Sequence, residues 1–143
     1  MIDSPIVLVT QAVVDAINGG TYSQPITASR VYSILNELHD PKILKVLVTS
    51  KAAEHSVASR SAVQIDIKVD IAIYKKVGLS VAELDAMMGL VEEVSLELRK
   101  PQLFSNFSWV STENAPIYSP DFLDQAKEFL SILTLTFRAL VER

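Results

Sequence analysis

An α+β fold is what the 143-residue sequence predicts: an antiparallel β-sheet with a long hairpin, packed on one face against two main α-helices, with a short C-terminal helix before the last strand. Three stretches carry that expectation. In "VQIDIKVDIAIYKK" (63–76), Val63, Ile65, Ile67, Val69, Ile71 and Ile73 take the odd positions and Gln64, Asp66, Lys68 and Asp70 the even ones, the period of a strand with one dry and one wet face. Ser80 and Glu83 stand at capping-box spacing ahead of "VAELDAMMGLVEEVSLELRK", a segment with one apolar side. "EFLSILTLTFRALVER" alternates again, with Phe129, Leu133, Leu135, Phe137 and Val141 against Thr134, Thr136 and Arg138, and reads as a closing strand. The length suits a single α+β domain over residues 1–143 and is too short for two comfortable cores.

Taken in order, the first element reads as a helix. Asp3 or Ser4 can cap it, Pro5 suits its first position, and Ile6, Val9, Val13 and Ile17 form one stripe before Asn18-Gly19-Gly20 ends it. The β-branched pairs Ile6-Val7 and Val9-Thr10 favour a strand, but the proline start and the glycine stop outweigh them. "ITASRVYSILNEL" (26–38) is predicted to be a strand, with Ile26, Arg30, Tyr32 and Ile34 on one side and Val31 and Leu35 on the other. Asp40-Pro41 breaks the chain, and "KILKVLVTSK" follows as a strand with Leu44, Val46 and Val48 facing one way. The polar stretch "AAEHSVASRSA" is either a loop or the shared ends of a long hairpin. The hairpin is the more economical, since it pairs two β-rich segments antiparallel.

Gly78 closes the long strand. In the helix beyond it, Leu84, Met88, Val91 and Leu98 mark the buried face, flanked by Val81, Leu90 and Val94, while Arg99 and Lys100 oppose the negative end of its dipole and Pro101 stops it. Residues 101–118 have no helical period; they read as an ordered excursion with a short strand near 107–110. Ser119-Pro120-Asp121 then opens the short helix that precedes the closing strand.

Composition narrows the function. Hydrophobic residues make up 49% of the chain, with a mean hydropathy of +0.28, enough apolar surface to suggest contacts with other subunits. A net charge of −4 argues against non-specific binding to nucleic acid, and the absence of cysteine removes thiol chemistry and cysteine-ligated metals. The apolar start lacks a basic leader and contains Asp15, so neither a signal peptide nor a membrane span is expected.

Catalytic patterns are weak. His39 beside Glu37 and Asp40 fixes no coordination geometry, and His55 near Ser56 and Ser59 lacks a nucleophile elbow. Glu93 and Glu97 share a helix edge but no ExxH faces them, and Gly19-Gly20 sits in no phosphate loop. The basic groups Lys42 with Lys45, and Lys51, Arg60, Lys75 and Lys76, read as solvated strand ends. No catalytic residue, cofactor or metal site is expected, and the chain is read as a non-enzyme.

One resemblance adds to this. "LKVLVTSKAAEHSVASRSAVQIDIKVDIAIYKKVG", "ELDAMMGLVEEVSLELR" and "FSWVSTENAPIYSPDFLDQAKEFLSILTLTFR" resemble a family of small neck and tail-completion proteins of tailed bacteriophages and prophages, over roughly residues 40–138. The shared marks are the valine-rich strand with its polar continuation to Ser59-Arg60, the alternating strand ending in Lys75-Lys76, the LVEEV helix, and the segment from Pro116 through Tyr118-Ser119-Pro120 to Leu123. The resemblance implies a virion protein of the neck, assembled in the bacterial host cytoplasm, and most closely a tail terminator. Such a protein forms a homo-oligomeric ring, commonly a hexamer, that caps the tail tube protein, joins it to the head-tail connector or stopper, and lets DNA pass through its lumen; no membrane is involved. A head-side adaptor or stopper is the nearest alternative, and a small α+β ligand- or nucleic-acid-binding module is the alternative of another class. On this reading the expected subunit or partner contacts are Lys51, His55, Arg60, Asp66, Lys68, Asp70, Phe107, Trp109 and Tyr118, with Trp109 and Tyr118 equally able to fill a satellite core.

Overall fold

In the computed structural model, residues 4–34, 44–77, 80–99, 107–115 and 117–142 are described. Helix α1, Pro5–Gly19, starts where Ser4 has extended backbone and its hydroxyl accepts a hydrogen bond from the Val7 amide at 3.5 Å. It buries Val9, Thr10, Val13, Val14 and Ile17, while Ile6 lies at the margin. Past its end the Tyr22 hydroxyl donates to the Ile17 carbonyl at 2.8 Å, and a Cβ at Gly20 would collide with that same hydroxyl and ring. Glycine is therefore required by a close approach, since the backbone of Gly20 is extended.

Tyr22 also faces the acidic edge of the second long helix. Burial, followed by the charges of Glu97 and Glu93, pushes its phenol up to about 12. The folded-state value lies above that of the unfolded chain, so the stabilisation is complete below the unfolded value and is lost as pH climbs through the folded one. Urea midpoints of wild type and Tyr22→Phe should therefore differ near pH ~9, where the hydroxyl still donates, and converge towards pH ~12. A gap that stays constant over that range would show that the phenol does not titrate with folding.

Strand β1 is only Ala28–Arg30 and pairs in parallel with β2, Lys45–Val57. This corrects the longer strand expected over 26–38 and makes the sheet mixed instead of wholly antiparallel. The physical reason is the tether to α1: the Asn18 side chain brackets Ala28, accepting from its amide at 2.7 Å and donating to its carbonyl at 3.2 Å. The backbone pairing ends one residue past the strand, where the Val31 amide donates to the Val48 carbonyl. Leu35, His39, Asp40-Pro41 and Lys42 lie outside the described residues.

The rest of the sheet is antiparallel, in the order β1-β2-β3-β5-β4, with β3 Ala62–Lys76, β4 Phe107–Asn114 and β5 Glu128–Glu142. The hairpin expected across 51–61 is present, with Lys45 opposite Tyr74 at one end and Val57 opposite Val63 at the other. β5 accompanies β3 along its whole length, from Lys76–Glu128 to Ala62–Glu142. Helix α2, Val81–Glu97, joins α1 on the face that carries the odd residues of β3. Val46, Val48, Ile67, Val69, Ile71, Ile73, Leu133, Leu135 and Phe137 form the floor of this core, and both helices form its roof.

Four sequence expectations are revised. The buried line of α2 runs through Met87, Leu90, Val91, Val94 and Leu98, with Leu84 and Met88 at its margin and Val81 exposed, because the helix lies rotated towards β5. Ser80 occupies the cap with extended backbone, but its hydroxyl makes no capping bond. The element after Pro120 is a π-helical turn, Phe122–Ala126, that ends on Lys127 in the left-handed region at φ 59°. From this turn Leu123 packs on the main core and Phe122 on the opposite face of the sheet. Finally, the even face of β3 is not wet throughout. Ala72 and Tyr74 join Leu47 and Leu130 in a second, smaller core, on which Phe122 stacks edge-on against Tyr74 at 6.4 Å.

Candidate assembly surface

The even face keeps water only along the half of the sheet nearest the hairpin tip. Three rows of side chains that span four strands cross it there. In one, Thr49, Asp70, Thr134 and Glu113 stand side by side, with Asp70 accepting from the Thr134 hydroxyl at 2.6 Å and the Lys51 ammonium 3.9 Å from the same carboxylate. The next holds Ala52, Lys68, Thr136 and Ser111. The third holds Glu54, Asp66, Arg138 and Ser108, where Arg138 grips Asp66 in a fork of 2.9 and 3.2 Å. That grip holds the Asp66 carboxyl below the usual carboxylate range and raises Arg138 in turn. Without it, Glu54 and Asp66 would be like charges set directly across a strand pair. Lys68 has no ion pair among the described residues and is exposed.

Both outer strands of this half carry a bulge, and the two bulges flank one row of the sheet from opposite sides. Between Ser50 and Ala52 the register of β2 slips past Lys51, and between Trp109 and Ser111 that of β4 slips past Val110. Each lies beside the Lys68–Thr136 row. A bulge switches which residues face the core, so Val46 and Val48 do so before it, and Ala53, His55 and Val57 after it. β2 is exposed from Ser50 to Val57, where β1 has already ended; α1 still reaches the first of these residues, the Ser50 hydroxyl lying 2.8 Å from that of Thr10.

On the core side, a groove of about 610 Å³ runs between β4 and the last turns of α2, lined among others by Leu96, Arg99, Trp109, Val110 and Thr112. The Trp109 indole donates to the Thr112 hydroxyl at 2.7 Å, which ties its ring across the bulge. Phe107 packs edge-on against Phe137 at 5.7 Å.

The expected contact residues thus fall into four places. Lys51, Asp66, Lys68 and Asp70 share the wet face. His55, Phe107 and Trp109 lie on the core side of the two outer strands, half-buried except for the exposed His55. Arg60 is in the exposed turn at the hairpin tip. Tyr118 stacks on Phe129 at 6.5 Å, at the opposite end of β5 from that tip, and is separate from the others. Sequence reasoning passed over Glu54 and Glu113, because their neighbours are set by strand register and nothing local marks them. Among the described residues there is no group of three or more His, Asp or Glu able to hold a metal ion, and no helix long and apolar enough to cross a membrane. No protein-family model matches this chain, and no curated protein matches it.

Proposed function

We propose that the protein is a structural component of the phage head-tail junction, a tail terminator that closes into a ring on the end of the tail tube and meets the head connector. The observation that carries this reading is the pair of unlike strand edges at the two sides of one sheet, β2 beyond Val48 and β4, along which no further strand pairs among the described residues. A closed ring needs two different complementary patches on each subunit, and exposed strand edges are templates for pairing with another chain. The resemblance of residues 40–138 to neck proteins supports the same reading from the sequence side, and the charge-laced face suits contact with protein or a wet channel.

Native mass measurement of the purified protein, alone and with tail-tube protein, tests it. A ring that binds tubes is the expected result; a strictly monomeric protein that never joins tubes would sink it, and capture by the connector without the tube would assign the protein to the head side. Lys68→Glu should change folding stability by no more than about 0.5 kcal/mol, as for other exposed sites, while weakening assembly on tubes. Thermal unfolding and tube binding measured on the same sample separate the two effects. A variant that simply melts would mean that Lys68 does not face solvent as described.

A further inference from the structure

We propose that copies of this chain join head to tail by antiparallel pairing of β4 of one copy with the open edge of β2, residues 49–57, of the next, so that Glu113 of one copy meets Lys51 of its neighbour. The inference rests on the ring reading and specifies its contact.

Three observations support it. The two edges span the same levels of the sheet. β1 covers β2 only as far as Val48, and across the sheet β4 runs from the Val48 level, at Asn114, to the His55 level, at Phe107. What β1 leaves open is thus what β4 can fill.

Strand direction agrees. Beyond β1 the sheet has four strands, β2, β3, β5 and β4, and each runs opposite to its neighbour. With an even number of alternating strands, a copy rotated about an axis along the strands presents its β2 antiparallel to the first copy's β4, the more stable of the two pairings. Such a rotation carries no rise, so each row continues into the same row of the next copy.

Charge and size agree row by row. The row containing Asp70 ends in Glu113 at one side, and Lys51 brings its ammonium to the same row at the other. The row containing Asp66 ends in Arg138 and Ser108, next to which the neighbour's Glu54 would lie. On the core side, the neighbour's Ala53 falls at the level of Trp109, a small side chain beside a large one at the mouth of the groove. From Lys51 to Val57 β2 contains no proline, and its bulge and that of β4 flank the same Lys68–Thr136 row from opposite sides, so the rows on either side of both bulges stay in register.

The test uses the absence of cysteine in the chain. Directly opposed residues of paired strands have Cβ atoms about 4.5–5.5 Å apart, close to what a disulfide tolerates. Glu54→Cys with Ser108→Cys in one chain should therefore give a ladder of covalent multimers on mild oxidation, whereas either substitution alone should give none, because a head-to-tail contact never brings a residue against its own copy. Glu113→Lys should weaken self-association roughly two- to fivefold per contact at low salt, and adding Lys51→Glu should restore it. A wild type that remains monomeric overturns both this inference and the ring reading. An oligomer in which the double-cysteine chain fails to cross-link, or in which a single cysteine forms dimers, overturns the edge pairing alone.

Discussion

Phe137→Ala is expected to destabilise the protein by about 3–5 kcal/mol, the cost of truncating a large aromatic side chain in a core that cannot collapse around the gap. Phe137 is fully buried in the middle of β5, between Ile67 and Trp109, and Phe107 rests edge-on against its ring. Removing the ring takes away the floor beneath β4 as well as its own contacts. Urea unfolding would measure the loss, and amide exchange should show β4 losing protection first. A cost below about 1 kcal/mol would mean that this end of the sheet is loosely packed.

Tyr74→Ala should cost a similar amount, about 3–5 kcal/mol, although it points away from both helices. Tyr74 is 1% exposed, lies under Phe122 and sits in the smaller core on the other face of the sheet. Burial, and after it hydrogen bonding with and the charge of Glu128, push its phenol well above the ordinary tyrosine value. The substitution discriminates between two descriptions of that face. If the even side of β3 were wet over its whole length, as its polar residues from Gln64 to Asp70 suggest, the loss would be that of a surface change, about 0.5 kcal/mol or less. Tyr74→Phe keeps the ring, and should retain most of the stability while removing the alkaline sensitivity tied to the hydroxyl.

Tyr74 also marks where the sequence stops being informative. The alternation of β3, the proline start and glycine stop of α1, and the pattern of β5 are local signals, and the elements they predict are present. The second core has no such signal: Leu47, Ala72, Tyr74 and Leu130 come from three strands, and only the sheet and the turn at Phe122 bring them together. The length of β1 has no local signal for a related reason, since Asn18 and not its own β-propensity fixes where it pairs. The bulge at Lys51 carries no glycine to announce it, so the change of facing residues beyond it was invisible. At the candidate surface, Asp66, Lys68 and Asp70 were legible because alternation placed them on one face. The charges that end the rows, Glu54 and Glu113, became meaningful only with the register.

The tip of β2 and β3 points along the strands, with Val57 and Leu140 exposed close to it and Tyr118 at the far end of β5. In a ring assembled about an axis along the strands, every copy would raise its tip on the same rim. The two rims would then be chemically distinct, one a crown of hairpins and the other a blunt aromatic border, so such a ring could tell up from down and accept a different partner on each side.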